Sequence, residues 1–269
     1  MGFKFCSLAS GSSGNCQYVG SKETKLLIDA GLTGKYITNA LQDIDIDVNT
    51  IDGLLITHEH SDHIKGVGVL MRRFNIPLYV NEKTWEVMKD RIGCVKGKDI
   101  RLFSDCEAFF IGDIRVKPYD IYHDACNPVG FSFVHNKSKI SITTDSGCVT
   151  DEIIDEIKDS DLLVLESNHD VEMVKFSRYP WFLKKRILSD LGHLSNDTAG
   201  NIVAEVVKNG RVKYVLLAHL SKENNFPELA YETVKNIVEE NNMKVGLDIN
   251  LDLTYRNRIG RVYNIRDSF

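Results

Sequence analysis

The most informative stretch of this chain is Thr57-His58-Glu59-His60-Ser61-Asp62-His63. It follows the apolar run Gly53-Leu54-Leu55-Ile56, which is typical of a strand buried on both faces, and it precedes a segment with helical periodicity. Polar side chains at such a strand-to-helix junction lie at the carboxyl edge of a sheet, where α/β proteins usually bind ligands. Burying three imidazoles and a carboxylate without partners would cost much free energy. The stretch therefore predicts a metal site, with enough donors for a second ion.

Three further polar residues stand at strand ends in the same way. His123 and Asp145 each follow a strand-like segment, and His219 follows the apolar run 214–218. Together with the first stretch they supply five histidines and two aspartates, enough for two ions with Asp145 as a bridging carboxylate. Imidazole and carboxylate donors suit Zn²⁺, Mn²⁺ or Fe, and without thiolate ligands the metal stays open.

Short runs rich in Val, Ile and Leu alternate along the chain with segments of helical periodicity. This alternation predicts a layered α/β fold, and no linker or repeat divides residues 1–269, so we expect a single domain. Asn196 is the expected N-cap of its helix. We expect strands over 25–29, 53–57, 113–117, 130–134, 140–144, 161–165 and 214–218, and helices over 34–41, 64–74, 82–89, 151–157, 196–208 and 227–240.

The composition is that of a globular protein. The chain has 269 residues, of which 43% are hydrophobic and 26% charged, and its formal net charge is -5. We expect a cytoplasmic protein, because no apolar stretch is long enough to span a membrane and the start lacks the pattern of a signal peptide. Six cysteines without a CxxC pair predict reduced, buried or half-buried thiols. The negative charge argues against a nucleic-acid ligand unless positive charge is concentrated on one face.

The His-x-His-x-Asp-His cluster, followed by an isolated His, an Asp and a final His, resembles the metallo-β-lactamase superfamily over nearly the whole chain. The resemblance implies an α/β fold, the four-layer αββα sandwich, with metals at one edge and a hydrolase activity. It also implies two divalent metal ions, one bound by His58, His60 and His123 and a second by Asp62, His63 and His219, with Asp145 between them.

Further motifs resemble nucleases within this superfamily. His193 lies in Gly192-His193-Leu194-Ser195-Asn196 and resembles a histidine of phosphodiesterases such as tRNase Z and RNase J that is assigned to protonating the leaving group. The segment 161–170 resembles their acidic strand-end motif but differs in carrying His169. This histidine could be a hydrogen-bond donor in the active site or a residue of a surface loop.

The YycJ (WalJ) group of small nucleases matches three motifs in the right order, at 7–15, 179–186 and 192–196. This resemblance implies a bacterial 5'-to-3' exonuclease that acts on double-stranded DNA with a free 5' end and is associated with mismatch repair. The spacing between Glu166 and His193 leaves no room for a β-CASP insert, and the tail after His219 does not resemble a glutathione-binding domain. Hydrolysis of a small ester, thioester or lactam stays the alternative, and a non-catalytic DNA-binding module is a third.

Two-metal phosphodiester hydrolysis gives three residues catalytic roles. Asp62 would hold a metal and help to orient the hydroxide. His193 would protonate the departing 3'-oxygen or stabilise the transition state. His169 is the third candidate.

Two segments are expected to contact substrate. Residues 175–186 carry five positive charges, no acid and four aromatic side chains, which suits phosphates and unpaired bases, although a solvated face beside buried aromatics is the alternative. Residues 11–15 could present N–H groups and hydroxyls to a phosphate or form a tight hairpin turn. The basic tail 255–261 could add to this surface or be a charged edge strand. The expected contacts are Ser12, Ser13, Asn15, Lys175, Arg178, Tyr179, Trp181, Lys184, Lys185 and Arg186.

Overall fold

A computed structural model of the chain describes residues 2–265. These residues form two compact units, one made of 2–120, 125–138 and 255–265 and the other of 121–124 and 139–254. Within 2–265, no helix has the length and apolar character needed to cross a membrane.

Strands and helices alternate along most of the described chain. The strands are β1 (Phe3–Ala9), β2 (Cys16–Gly20), β3 (Lys25–Ile28), β4 (Gly53–Leu55), β5 (Leu78–Asn81), β6 (Ile100–Phe103), β7 (Phe109–Ile111), β8 (Ile114–Asp120), β9 (Val129–His135), β10 (Ser138–Thr143), β11 (Leu162–Glu166), β12 (Tyr214–Ala218), β13 (Asn250–Leu253) and β14 (Tyr263–Ile265). The helices are α1 (Gly34–Gln42), α2 (Ser61–Ile64), α3 (Val67–Phe74), α4 (Glu82–Met88), α5 (Asp151–Ile157), α6 (Val171–Phe176), α7 (Trp181–Ile187), α8 (Asn196–Asn209) and α9 (Pro227–Glu240), with a 3₁₀ turn at Val48–Thr50.

The first unit is built around a sheet with the order β14-β1-β2-β3-β4-β5-β6. Strands β3 to β6 run parallel, while β14, β1, β2 and β3 pair antiparallel. Leu27 and Leu54 on the sheet, Ile37 on α1 and Leu70 on α3 belong to one fully buried core cluster. Burying each such side chain stabilises the unit by roughly 1.5–3 kcal/mol. Strands β7, β8 and β9 form an antiparallel meander in the same unit.

The second unit is built around the parallel strands β10, β11, β12 and β13, which pair in that order. Strands β11 and β12 are almost entirely buried and apolar, as expected for parallel strands covered on both faces. Helices α8 and α9 pack closely at Gly200 of α8. A Cβ at this position would lie only 2.6 Å from the Cδ1 atom of Ile237 on α9, so a larger residue would not fit without a shift. Asp145 follows β10 and His219 follows β12, so both candidate ligands lie at the carboxyl ends of buried parallel strands.

Every strand and helix predicted from the sequence is present, with three differences in detail. The predicted helix 64–74 is split into α2 and α3 at Gly66, where a Cβ would lie 2.4 Å from the carbonyl oxygen of Leu32. The N-cap of α8 is Ser195 rather than Asn196, because the Ser195 side chain accepts a hydrogen bond from the amide of Thr198. The six cysteines are free as predicted, but three of them are exposed.

The basic tail 255–261 is not a strand, so the charged edge-strand alternative is wrong. The outer strand beside β1 is β14, which follows the tail. Nine of these strands and helices lie outside the ranges predicted from the sequence: β1, β2, β5, β6, β7, β13, β14, α6 and α7.

Candidate metal centre

The first unit brings the rings of the sequence cluster together. His58 lies three residues after β4, and its ring centroid lies 4.7 Å from that of His60 and 4.0 Å from that of His63. Asp62 belongs to α2, and its Oδ2 atom lies 3.6 Å from Nε2 of His63. His58 and His63 are fully buried, whereas His60 and Asp62 are half-buried. The turn therefore concentrates four potential metal ligands, as predicted from their spacing.

A buried carboxylate orients two of these rings. Asp29 Oδ2 lies 2.8 Å from Nδ1 of His63 and also accepts a hydrogen bond from the Thr57 hydroxyl at 2.9 Å. Since that hydroxyl gives its only proton to Asp29, it accepts from Nδ1 of His58 at 3.0 Å. Both rings therefore use Nδ1 as a donor and keep the lone pair on Nε2. Asp29 was not predicted from the sequence, where its signal is an acid directly after β3.

The predicted substrate contacts at 11–15 divide into two groups. Asn15 is buried, with its Nδ2 atom 3.0 Å from Nε2 of His63 and its Oδ1 accepting from the amide of Gly11. Ser12 and Ser13 are exposed at the tip of the loop. Asn15 therefore contacts a candidate metal ligand, while the two serines are the residues open to a ligand from solvent.

In the second unit, the buried carboxylate of Glu166 lies at the centre of a cluster of potential metal ligands. One ligand atom from each of Asp145, Glu166, His193 and His219 lies within 4.8 Å of the others. Glu166 Oε1 lies 2.8 Å from Nδ1 of both His193 and His219. Its Oε2 accepts from the amides of Ser146 and Leu194, each at 3.1 Å. Glu166 thus connects the loop of Asp145 with both histidines.

Electrostatics keep this carboxylate charged. Burial alone raises the pKa of Glu166, but attraction and hydrogen bonding to His193 and His219 outweigh burial and lower its pKa to about 2. Burial alone lowers the pKa of His193, but Glu166 outweighs it and raises the pKa above its ordinary value. Glu166 was not among the predicted site residues; its signal in the sequence is an acid at the end of the apolar strand β11.

Left-handed backbone conformations mark three of the strand ends. Asp29 follows β3 with φ 60, Asp145 follows β10 with φ 58, and His219 follows β12 with φ 55. Such values are uncommon outside glycine and cluster at functional sites. At each position the left-handed residue ends the extended segment and carries a side chain of the candidate site.

His123 is held by the backbone beside His193. Its Nδ1 atom lies 3.1 Å from the carbonyl oxygen of Gly192, and its Nε2 lies 3.9 Å from Oδ1 of Asp145. Burial lowers the pKa of His123, which favours the neutral imidazole that binds metals. The neighbouring Asp124 forms an ion pair with Arg186, at 2.6 Å between Oδ2 and Nε. Arg186, a predicted substrate contact, is therefore already paired with a carboxylate.

His169 is buried, so its assignment to a surface loop is wrong. Its side chain is 1% exposed, and burial lowers its pKa to about 4. Its Nδ1 atom has no hydrogen-bond partner among residues 2–265. The backbone of His169 pairs with Ser195, and its carbonyl oxygen accepts from the amide of Asn196. This pairing holds the backbone of His169 beside the start of α8. Ser195, its pairing partner, lies two residues after His193 in the sequence.

The segment 175–186 comprises the end of α6, the link 177–180 and most of α7. Phe176, Trp181 and Phe182 have 84%, 79% and 74% of their surface exposed, and no residue of α7 is buried. The alternative of a solvated face beside buried aromatics is therefore wrong for these three, and Tyr179 is half-buried. The exposed segment leads directly into His193.

The donor set fits a metal centre of imidazoles and carboxylates. His58, His63, His123 and His219 each use Nδ1 in a hydrogen bond to a hydroxyl, carboxylate or carbonyl oxygen. Histidines that bind metals through Nε2 almost always make such a bond with the other nitrogen. The residues present therefore suit divalent ions of the Zn²⁺, Mn²⁺ or Fe type.

Residues 24–220 match the family described as "Beta-lactamase superfamily domain", and the chain belongs to this family. The predicted α/β sandwich fold and the predicted metal-dependent hydrolase class are thereby confirmed. The chain is 45% identical over 246 residues to Exodeoxyribonuclease YycJ from Bacillus anthracis, covering 91% of this chain and 93% of the relative. It is 43% identical over 250 residues to Exodeoxyribonuclease WalJ from Streptococcus pneumoniae, covering 92% and 93%. The predicted resemblance to the YycJ (WalJ) group is confirmed.

Solved structures share the fold at low sequence identity. The metallo-β-lactamase fold protein YhfI from Bacillus subtilis superposes with a TM-score of 0.73 at 15% identity, covering 96% of this chain and 99% of that one. Zn(2+)-bound PqqB from Methylobacterium extorquens gives 0.70 at 14% identity, covering 97% and 100%. These likenesses support the fold and carry no information about substrate.

Proposed function

We propose that this enzyme is a 5'-to-3' exonuclease that hydrolyses double-stranded DNA from a free 5' end and serves mismatch repair in the cytoplasm. The observation that carries the proposal is the placement of His193, which shares one oxygen of Glu166 with the candidate ligand His219. The exonuclease names of the relatives at 45% and 43% identity support the same activity. We further propose that residues 1–269 act as a single domain.

The proposed metal site uses the ligands assigned from the sequence. Two divalent ions, Zn²⁺ or Mn²⁺ with Fe as a further candidate, would lower the pKa of a water and neutralise charge on the phosphate when bound. The chain would hold them through His58, His60, Asp62, His63, His123, Asp145 and His219.

The proposed proton donor is His193. Its Nδ1 is engaged by Glu166, so Nε2 is the nitrogen that can give a proton to the departing 3'-oxygen. The raised pKa keeps that proton on the ring closer to neutral pH, and a side chain 19% exposed can reach a substrate. We propose that Asp62 orients the attacking water and that His169, buried next to the start of α8, contributes a hydrogen bond to the site.

The proposed substrate contacts lie on the loop 11–15 and on the segment 175–186. The exposed serines Ser12 and Ser13 suit a phosphate, and Asn15 suits a role beside His63. On the second segment we propose Lys175, Arg178, Tyr179, Trp181, Lys184, Lys185 and Arg186.

One experiment tests this function directly. The purified enzyme is assayed for bound metals and then given end-labelled duplex DNA with 5'-phosphate or 5'-hydroxyl ends, in Mn²⁺, Zn²⁺ or chelator. We expect sequential loss from the 5' end that the chelator abolishes and that His193→Ala reduces at least 100-fold. His135→Ala, which removes a histidine of β9, is the matched control and should keep full activity. Turnover of nitrocefin or a thioester without release of nucleotides would instead identify a small-molecule hydrolase.

A further inference from the structure

The segment 171–188, called the arm here, comprises α6, the link 177–180, α7 and its C-cap residue Leu188. Its burial is unusual, because only Val174 of α6 and no residue of α7 is buried. A surface helix normally buries its apolar face against the protein. Here three large aromatic side chains within residues 176–182 lie in solvent instead. Exposed apolar surface rimmed by polar residues is typical of interaction sites. The aromatic residues are Phe176, Trp181 and Phe182.

The charge of the arm selects the kind of partner. No acid occurs between residues 173 and 189, while five cations lie between 175 and 186. Lys175 pairs with Glu172 and Arg186 pairs with Asp124. Arg178 and Lys185 are exposed and pair with none of residues 2–265. A polyanion with flat apolar faces complements this surface, which is the chemistry of a nucleic-acid strand.

The position of the arm favours a nucleic acid over a membrane surface. The amide of His193 donates to the carbonyl oxygen of Ile187, the last residue of α7, at 3.2 Å. The seven residues of α7 span about 10 Å along the helix axis. This length corresponds to about three nucleotides at 3.4 Å each. A strand lying on the arm would thus reach the proposed proton donor within a few nucleotides.

Stacking further restricts which nucleotides can bind. A base inside a duplex has both faces covered by its neighbours, so only an unpaired or terminal base offers a face to an aromatic side chain. Resting on the function proposed above, we propose that the arm binds unpaired nucleotides through Trp181 and Phe182, with Arg178 and Lys185 on the phosphates. The enzyme would accordingly favour ends that are frayed or carry an unpaired terminus.

Fluorescence tests the proposal without catalysis. The chain has two tryptophans, so Trp85→Phe leaves Trp181 as the single reporter. With chelator present, a short oligothymidylate should quench Trp181 fluorescence, and a relaxed, covalently closed circular duplex, which has neither unpaired nor terminal bases, should quench it much less. In the parent chain, without Trp85→Phe, the double substitution Trp181→Ala with Phe182→Ala should weaken oligothymidylate binding, measured by anisotropy, roughly tenfold or more. Trp181→Phe should largely restore it. Phe110→Ala, which removes an exposed aromatic of β7, is the matched control.

The possible results distinguish a failure of the nucleotide binding proposed for the arm from a failure of the proposed exonuclease activity. Quenching by oligothymidylate supports the arm even if the duplex exonuclease assay fails. Degradation from the 5' end with no quenching, and with equal rates on blunt and unpaired ends, overturns the arm and leaves the function intact. Quenching by anionic vesicles but not by oligothymidylate, or loss of self-association in the double variant without loss of DNA binding, would also overturn it. A melting temperature matching that of the parent chain ensures that each variant is folded.

Discussion

Glu166 accepts a hydrogen bond from Nδ1 of His219 at 2.8 Å, deep in the second unit. The same oxygen accepts from His193, so one buried carboxylate fixes the orientation of a candidate metal ligand and of the proposed proton donor. A carboxylate behind a ligating histidine raises the basicity of the ligand and selects its tautomer. The proposed metal affinity and the proposed proton transfer are therefore coupled through Glu166.

The substitution Glu166→Gln tests this coupling. Glutamine keeps the shape but loses the charge, so we expect metal affinity or activity to fall about 10- to 100-fold. The pKa of His193 should also fall, because Glu166 raises it. The alkaline limb of the pH–rate profile should then move to lower pH. Glu232→Gln, at an exposed carboxylate of α9 paired with Lys235, is the control, and an unchanged profile in Glu166→Gln would show that Glu166 does not tune His193.

The sequence predicted the ligands better than the residues that support them. His58, His60 and His63 stand out because three imidazoles in one turn are rare and costly to bury without a metal. Glu166 and Asp29 resemble any acid that ends a strand, since the hydrogen bonds that distinguish them come from residues distant in the chain. For Glu166 these are the bonds from His193 and His219.

The exposure of the arm could not be predicted from hydrophobicity. Aromatic side chains bury large areas and are usually found inside or at interfaces. Whether Trp181 is covered depends on what the fold places beside α7, which no local pattern encodes. By contrast, the strands β11 and β12 were predicted well, because continuous apolar runs leave few alternatives.

A second substitution, Asp29→Asn, tests the support of His63. Asparagine tolerates the left-handed conformation of residue 29, so the backbone should be kept while the charged acceptor is removed. We expect metal affinity to fall about 10- to 100-fold, measured by metal content after dialysis against a graded chelator. Asp99→Asn, which breaks an exposed pair with Arg101, should leave metal content unchanged. Equal metal content in Asp29→Asn and the parent would contradict the proposed role.

The salt dependence of DNA binding should distinguish the cations of the arm. A substitution that removes one ion pair with a phosphate should reduce the slope of log affinity against log salt by about 0.7 for single strands. We expect this change for Lys185→Gln and Arg178→Gln, and a smaller one for Arg186→Gln, because Asp124 already pairs with Arg186. Lys96→Gln, an exposed lysine of the first unit, should have no effect. The largest change in Arg186→Gln would mean that the ion pair opens when DNA binds.

The buried His169 should make the metal-free protein sensitive to acid. Its pKa in the folded protein is lowered to about 4 from 6.5, so the folded state binds a proton less readily than the unfolded chain. This contribution to stability is fully present above pH 6.5 and is lost as the pH falls through about 4. Its upper limit is about 3 kcal/mol. Urea unfolding between about pH 7 and pH 4 should therefore show a smaller loss of stability in His169→Asn than in the parent chain. His135→Asn on β9 serves as the control, and parallel curves for all three proteins would mean that His169 is not a source of the acid sensitivity.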